Sequence, residues 1–350
     1  MGKNTDRLLK TCRPGCNFSR MLYGKDFFME KKSIAVVLPA YNEQDNIMPV
    51  YHALKAVFEP LQDRYDWNLL FVDDGSQDET SDRLRRLQQE FPQHVRYLIF
   101  SRNFGKERAV LAGLDHADAD AVIIMDADLQ HPPEKIPEMI RLFESGYDDV
   151  YGLKTDRGRE SLVKKAVTAV FYKALSRETG NMLIPNVGDF RLLSRRAVEA
   201  FCRYREANRY NKGYFALIGF RKIAIPYEVA ERQAGTTKWS SWQLIKFAMD
   251  GITAFSTSML RISTILGAVI AGISFLVGLA EIIIKLTRGS VPGYPTLIAC
   301  ITVLGGLQLL SIGILGEYIA RIYREEQGRP LYIVQDCVLT TRQDGKERTE

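Results

Sequence analysis

The chain has 350 residues, enough for one large domain or two smaller ones. With 47 Lys and Arg against 42 Asp and Glu, its net charge is +5, too mild a balance for a dedicated nucleic-acid-binding protein. A hydrophobic fraction of 46% and a charged fraction of 25% exclude an intrinsically disordered chain. The five cysteines are an odd number without zinc-site spacing, so we expect reduced thiols facing the cytosol.

The first 32 residues are polar and basic and lack the apolar core of a secretory signal, so we expect a loosely ordered extension. From residue 33 onward, short apolar runs alternate with helical patterns. The runs are 34–38, 67–72, 95–100, 121–125 and 149–153. The helical segments between them are 44–61, 79–91, 105–117 and 133–144. This alternation predicts an α/β domain with a parallel sheet covered by helices on both faces.

The last quarter of the chain is strongly apolar. Residues 262–280 and 291–316 carry no charge, and each stretch is long enough to cross a hydrocarbon core of ~30 Å. They predict a transmembrane hairpin with spans at about 262–286 and 294–317. Basic residues are more numerous at its outer ends than in its connecting loop, so the positive-inside rule puts the main domain and the C-terminus in the cytoplasm.

These patterns divide the chain into five parts. The segment 236–259 is predicted as an amphipathic helix in the membrane interface, with an ordinary surface helix as the alternative. The predicted parts are an extension (1–32), a catalytic domain (33–235), this interfacial helix (236–259), two transmembrane helices (260–320) and a cytoplasmic tail (321–350).

Polar clusters follow the predicted strands at residues 41–43, 73–76, 101–106 and 126–130. In open α/β sheets ligands bind outside the carboxyl ends of the strands. Asp126 and Asp128 leave the fourth strand as a D-x-D pair, and Gln130 follows them. Carboxylate and amide oxygens suit Mg²⁺ or Mn²⁺, although a D-x-D alone also occurs by chance. His131 is predicted to cap the next helix rather than to bind metal.

Asp74 ends the second strand and has two interpretations. Its carboxylate can accept the imide N–H of a uracil or the hydroxyls of a ribose, or it can serve the backbone turn. Residues 39–43 end the first strand and are candidates for a wall of the same base pocket. No G-x-G-x-x-G and no P-loop follows a strand, which argues against dinucleotide oxidoreductases and P-loop nucleotidases.

Four of these segments together resemble glycosyltransferase family 2, which has the GT-A nucleotide-sugar fold: LPAYNEQDNI (38–47), FVDDGSQDET (71–80), SRNFGKERAVLAGL (101–114) and MDADLQHPPE (125–134). With the predicted hairpin, the chain is similar to the polyprenyl-phosphate glycosyltransferases, the group of bactoprenol glucosyltransferase and dolichol-phosphate mannose synthase. Three further segments, 188–198, 231–240 and 315–325, also look like this group. The resemblance covers residues 33 to about 330.

The resemblance implies a role for each matching residue. The donor-binding candidates are Pro39, Ala40, Tyr41, Glu43, Asp74, Lys106, Arg232 and Lys238. The implied ligands of Mg²⁺ or Mn²⁺ are Asp126, Asp128 and Gln130. The carboxylates with an implied catalytic role are Asp126, Asp128, Asp156 and Asp189. The acceptor-phosphate candidates, on a looser match, are Arg157, Arg159, Lys164 and Lys165, for which a solvated helix start is the alternative.

The implied reaction moves a hexose from a UDP-sugar to undecaprenyl or another polyprenyl phosphate, with inversion, at the cytoplasmic face of a bacterial inner membrane. Glucose is the first choice, while N-acetylglucosamine, mannose from GDP-mannose and 4-amino-arabinose derivatives stay open. The resemblance also implies a homo-oligomer, with a tetramer as one candidate. The other hypotheses are a catalytically inert nucleotide-sugar-binding partner and a processive polysaccharide synthase, and two spans are too few for the channel of a synthase.

Overall fold

The computed structural model describes residues 31–154, 187–228, 258–288 and 293–339. The strands are β1 (Lys32–Ala40), β2 (Tyr65–Asp73), β3 (Val95–Phe100), β4 (Ala121–Ile124), β5 (Asp149–Lys154), β6 (Val187–Ser194), β7 (Lys222–Tyr227) and β8 (Val334–Val338). The helices are α1 (Ile47–Phe58), α2 (Thr80–Glu90), α3 (Lys106–His116), α4 (Ile136–Glu144), α5 (Arg195–Cys202), α6 (Asn211–Leu217), α7 (Ser258–Arg288) and α8 (Tyr294–Glu326). Short 3₁₀ turns occupy Glu59–Leu61 and Pro133–Lys135.

The described strands form one sheet in the order β7-β5-β6-β4-β1-β2-β3-β8. The four central strands β4, β1, β2 and β3 are parallel, as the alternation of apolar runs and helices predicts. Their carboxyl ends therefore meet at one edge, where the polar clusters of the sequence follow them. The predicted α/β class is confirmed.

The flanks of the sheet differ from the predicted all-parallel arrangement. Strand β6 lies between β4 and β5 and is antiparallel to both, while β8 is antiparallel to β3. Strand β6 is not an apolar run because it contains Asp189 and Arg191. The Arg191 guanidinium is buried, and it pairs with the buried carboxylate of Asp149 at 3.2 Å and lies 3.8 Å from the centroid of the Phe215 ring. These contacts permit a charged residue in a central strand.

Two apolar layers cover the sheet because the side chains of a strand alternate between its faces. On β1, Ile34, Val36 and Leu38 pack in one core cluster with α1, α2 and α4. Ala35 and Val37 pack in the other cluster with α3, α5 and α6. Burial on both faces explains why β1 is a continuous apolar run.

The segment after α8 corrects the predicted boundary of the tail at residue 321. Helix α8 continues to Glu326, and β8 then pairs with β3 as the last strand of the sheet. The Tyr332 ring stacks on Phe100 at 5.3 Å between centroids, and Asp336 pairs with Arg85 at 2.9 Å. Residues 321–339 therefore belong in part to the central sheet and not to a separate tail.

Both predicted long helices are present, as α7 and α8. Among the described residues, one stretch, Val303–Glu326, has the length and composition to cross a membrane, with a mean hydropathy of 1.5. The apolar stretch in α7, Ser263–Val277, is shorter. Large apolar side chains such as Phe275 and Leu309 are about 70% exposed. An exposed apolar surface of this kind favours a membrane or a partner, which supports the hairpin only in part.

The packing of α3 on β1 leaves no room beside Gly113. A Cβ atom at this position would lie 2.2 Å from Cγ1 of Val37. We expect Gly113→Ala to lower the free energy of unfolding. Overpacking costs about 1–3 kcal/mol, and the higher helix propensity of alanine offsets about 1 kcal/mol of this cost. Urea unfolding of the protein in detergent measures the change.

A double-mutant cycle identifies the cause. Because Val37→Ala removes the methyl groups that a Cβ of residue 113 would meet, the double variant is expected to lose less than the sum of the two single losses. Additive losses would show that the Val37 contact is not responsible.

Candidate active site

The carboxyl ends of β1, β2 and β4 and the first turn of α3 surround one open cleft. Its cavity volume is about 170 Å³. The lining residues are Pro39, Ala40, Tyr41, Glu43, Asp74, Lys106, Ala109, Asp126, Ala127 and Asp128. The structure thus brings together all the predicted donor-binding residues that it describes and both aspartates of the D-x-D pair.

The D-x-D segment leaves β4 in a tight turn. The backbone N–H of Gln130 donates to Oδ1 of Asp128 at 3.1 Å, and Leu129 between them has a φ of +57°. A left-handed conformation is uncommon for a non-glycine residue, and such residues concentrate at functional sites. Asp126 and Asp128 line the cleft, whereas Gln130, the third predicted metal ligand, is not one of its lining residues.

His131 contacts the backbone of this turn. The prediction that it caps the next helix is wrong, because Pro132 occupies the N-cap position. The backbone N–H of Asp126 donates to Nδ1 of His131 at 3.2 Å, and the imidazole stacks on Phe190 with centroids 5.2 Å apart. Burial lowers the pKa of His131, so that the ring is neutral and can accept this hydrogen bond. The histidine therefore positions the backbone of Asp126.

Lys106 joins the D-x-D pair to Asp189. Its Nζ lies 2.6 Å from Oδ1 of Asp126 and 2.8 Å from Oδ2 of Asp189. Burial alone would lower the pKa of Lys106, but the two carboxylates outweigh it and raise the pKa. Burial likewise would raise the pKa of Asp189, but Lys106 and Lys212 outweigh it and lower the pKa. The lysine is therefore cationic and Asp189 ionised at neutral pH.

The position of Asp189 follows from the antiparallel strand β6. Ile124 of β4 pairs with Arg191 of β6, so the residues beyond the end of β4 lie beside the start of β6. Asp126 and Asp189 consequently meet at the cleft although they are far apart in the chain. The sequence resemblance singled out Asp189 without explaining its proximity to Asp126.

Glu107, which sequence reasoning missed, lies next to Lys106 and interacts electrostatically with Asp189. Its carboxylate accepts a hydrogen bond from the backbone N–H of Asn211 at 2.6 Å. Burial, and then the charge of Asp189, raises the pKa of Glu107 to about 7. The signal available in the sequence was the acidic residue directly after Lys106 in the first turn of a helix, a common position for a solvated glutamate.

Asp74 holds the loop between β3 and α3. Its Oδ1 accepts the backbone N–H of Phe104 at 2.7 Å, and its Oδ2 accepts that of Gly105 at 2.9 Å. Burial raises the pKa of Asp74, and these backbone hydrogen bonds oppose the rise. Next to it, a Cβ atom on Gly75 would lie 2.3 Å from the carbonyl carbon of Arg102. The backbone interpretation of this segment therefore has direct support, while Asp74 also lines the cleft.

Tyr41 is the exposed aromatic residue of the cleft, with 42% of its surface accessible. It precedes Asn42, whose φ is +56°. The Asn42 backbone N–H donates to Oγ of Ser76 at 2.9 Å, and its Oδ1 accepts the backbone N–H of Gln77 at 2.9 Å. These contacts tie the end of β1 to the β2–α2 loop and present the Tyr41 ring at the opening.

The remaining predicted site residues lie outside the described part of the chain. They are Asp156, Arg157, Arg159, Lys164, Lys165, Arg232 and Lys238. The described cleft therefore contains the predicted donor-binding residues of the described part of the chain, and Asp189 contacts it through Lys106.

The raised pKa of Glu107 predicts a pH dependence of stability. Between its ordinary value of 4.5 and about 7, the folded protein retains a proton that the unfolded chain releases. The Glu107 contribution to the free energy of unfolding therefore falls as pH rises through this window and is constant above it. We expect Glu107→Gln to flatten this fall, as measured by urea unfolding between pH 5 and pH 8.

Glu199→Gln is the matched control because this glutamate is 63% exposed on α5. It is expected to leave the pH profile of the native protein in place. A profile that is equally steep in Glu107→Gln would contradict the assignment of the titration to Glu107.

Comparison with known proteins identifies the family of the chain. The sequence profile of "Glycosyl transferase family 2" matches residues 35–201. The chain is 42% identical to CsbB of Bacillus subtilis (strain 168) over 310 residues, which cover 88% of this chain and 93% of that protein. It is also 42% identical over 304 residues to the "Bactoprenol glucosyl transferase" of Shigella phage SfV, covering 87% of this chain and 98% of that protein.

Among solved structures, the glucosyl-3-phosphoglycerate synthase of Mycobacterium tuberculosis, a complex with Mn²⁺, UDP-glucose and phosphoglyceric acid, is 21% identical. It superposes with a TM-score of 0.41, covering 67% of this chain and 79% of that one, a likeness too low to transfer any feature. The identity to the two sequence relatives, and the share of each chain that the match covers, are sufficient to assign the family. The chain belongs to glycosyl transferase family 2 and is a glycosyltransferase with the predicted GT-A fold.

Proposed function

We propose that the chain transfers a hexose, with glucose as the first choice, from a UDP-sugar to a polyprenyl phosphate such as undecaprenyl phosphate. The observation that carries this proposal is the cleft, in which Asp126, Asp128 and Lys106 converge at the strand ends. The relative from Shigella phage SfV, named a bactoprenol glucosyl transferase, supports the acceptor class and the sugar.

The nucleotide of the donor would bind at the β1 and β2 side of the cleft. The exposed Tyr41 ring offers a face on which a base can stack. Asp74 lines the same wall, and a carboxylate oxygen can accept more than the backbone hydrogen bonds that it already has. Pro39, Ala40 and Glu43 complete the wall.

The oxygen atoms of the D-x-D turn suit a hard divalent cation, Mg²⁺ or Mn²⁺. Within the described residues no cluster of three or more His, Cys, Asp or Glu side chains is suited to a metal, so this part of the chain offers few ligands of its own. Asp126 and Asp128, with Gln130 in the same turn, would hold the cation, and the donor diphosphate and water would supply the other oxygens. Such a cation would neutralise charge on the leaving diphosphate.

The reaction is a single displacement at the anomeric carbon. An oxygen of the acceptor phosphate forms the new bond, the bond to UDP breaks, and the electron pair leaves with the diphosphate, so the configuration inverts. A phosphate monoester with a second pKa of about 6 is already anionic at neutral pH, so the chain need not supply a strong base. Positioning and charge compensation are then the main requirements.

Lys106 and Asp189 would provide this charge compensation. A cationic lysine at the cleft stabilises the negative charge that develops on the diphosphate. Because Lys106 lowers its pKa, Asp189 is a poor proton acceptor, and we assign it the role of orienting the lysine. Asp156 is the other carboxylate with a proposed catalytic role.

The proposed membrane arrangement follows the predicted parts. The catalytic domain (33–235) lies in the cytoplasm, the helix 236–259 lies in the interface, and α7 and α8 cross a bacterial inner membrane as a hairpin. Arg232 and Lys238 would close over the donor phosphates beside the membrane. The candidates for the acceptor phosphate are Arg157, Arg159, Lys164 and Lys165. We also propose a homo-oligomer, with a tetramer as one candidate.

The test is a turnover assay with the purified full chain, undecaprenyl phosphate, Mg²⁺ or Mn²⁺ and a panel of labelled nucleotide sugars. We expect label from UDP-glucose in the organic phase, lost on addition of EDTA. Asp128→Asn is expected to lower turnover by roughly a hundredfold or more, because the diphosphate loses its charge compensation. Label from another donor would replace the sugar and keep the reaction class.

Asp66→Asn is the matched control, since Asp66 is exposed at the opposite end of β2. It is expected to keep native turnover. Full activity in Asp128→Asn would contradict the cation site, and UDP binding without transfer from any donor would favour the inert-partner hypothesis.

A further inference from the structure

A second cavity, of about 230 Å³, lies where the end of α8 meets the β3–α3 loop. It shares no lining residue with the donor cleft. The charged residues in its wall are Arg102, Arg108, Arg321, Arg324, Arg329 and Glu325. We call it the arginine pocket. Five arginines and one glutamate leave the described wall with a strong excess of positive charge.

The nearby carboxylates do not balance this charge. Glu325 accepts the backbone N–H of Ala207 at 2.9 Å and so is used to hold a loop. Outside the wall, Glu317 is shared between Arg321 at 3.2 Å and Arg324 at 3.9 Å. One carboxylate therefore serves two guanidinium groups on α8.

Two other arginines of the pocket, Arg102 and Arg329, form no ion pair within the described residues. Arg102 lies 4.5 Å from the centroid of the Phe104 ring. Arg108 donates to the carbonyl oxygens of Phe104 and Ala207 at 2.7 and 3.0 Å. Burial, and then the charge of Arg102, lowers the pKa of Arg108, while the charge of Asp74 opposes this change.

The location of the pocket indicates the source of an anion. Arg321 and Arg324 lie in the last turns of α8, whose stretch Val303–Glu326 is apolar enough to cross a membrane, and Arg329 follows directly. In the arrangement proposed above, on which this inference rests, that end of α8 is at the cytoplasmic surface, where lipid phosphates are concentrated. A guanidinium group can donate two parallel, short hydrogen bonds to the oxygens of one phosphate.

We propose that the arginine pocket binds the phosphate of an anionic lipid headgroup, separately from the donor and acceptor of the transfer reaction. The β3–α3 loop separates the two cavities, because the Phe104 N–H faces Asp74 of the cleft while its carbonyl oxygen faces Arg108. A lipid phosphate in this position would connect the C-terminal end of α8 to the β3–α3 loop of the central sheet.

The test measures ligand-dependent thermal stability of the full chain in a neutral detergent. Phosphatidylglycerol is expected to raise Tm saturably, and phosphatidylcholine is not. Arg329→Gln and, separately, Arg324→Gln are expected to weaken the apparent affinity for phosphatidylglycerol roughly tenfold, as the loss of a charged hydrogen bond predicts. Because Arg329 is exposed and lacks a described ion pair, its variant should match the native Tm without lipid.

Arg86→Gln, an exposed arginine on α2 outside the pocket, is the matched control and is expected to retain native affinity. Equal protection of the native chain and of both pocket variants would overturn the site. Protection by inorganic phosphate alone, lost in Arg329→Gln, would assign the pocket to a soluble anion and overturn the lipid assignment. A raised KM for polyprenyl phosphate in Arg329→Gln would assign the pocket to the acceptor. The Tm measurement does not depend on turnover, so this test can succeed or fail independently of the turnover assay for the proposed reaction.

Discussion

The ammonium group of Lys106 lies between two carboxylates that come from different strands. Asp126 follows β4 and Asp189 begins β6, and each lies within 2.8 Å of the lysine Nζ. Without a cation between them, two carboxylates at such a site repel each other. The ion pairs therefore offset the repulsion between the two carboxylates and fix the amino end of α3 against the strand ends. The cleft has its present charge and shape because of this arrangement.

The same end of α3 is held by Asp74 through the loop that precedes the helix. The Asp74 carboxylate accepts hydrogen bonds from the backbone N–H groups of Phe104 and Gly105, so its position on the cleft wall has a structural cause. The opposite side of the loop contacts Arg108 and the arginine pocket. This short loop thus contacts Asp74 of the cleft on one side and lines the arginine pocket on the other, and the last strand β8 pairs with β3 just before it.

Much of the central domain was predictable. The runs at 34–38, 67–72 and 95–100 became β1, β2 and β3, because burial on both faces of a parallel sheet requires continuous apolar sequence. Strand β6 was not predicted, because Asp189 and Arg191 interrupt its apolar character and are accommodated by ion pairs that the sequence does not display. Strand β8 has only alternate half-buried residues, and a five-residue segment of that kind resembles a tail.

The candidate site shows the same division. The residues that line the cleft were predictable from motifs at strand ends, since parallel strands bring their carboxyl ends to one edge. The roles of His131 and Glu107 depend on their burial and on neighbours from other segments. His131 stacks on Phe190 and Glu107 accepts a hydrogen bond from Asn211, and the local sequence pattern indicates neither contact. Apolar periodicity determines the fold class, and the motifs at the strand ends carry the family resemblance and include the residues that line the cleft. Strand order, the meeting of Asp126 with Asp189 and the shifted pKa values arise only when distant segments come into contact, because electrostatic energies depend on distance and burial in space.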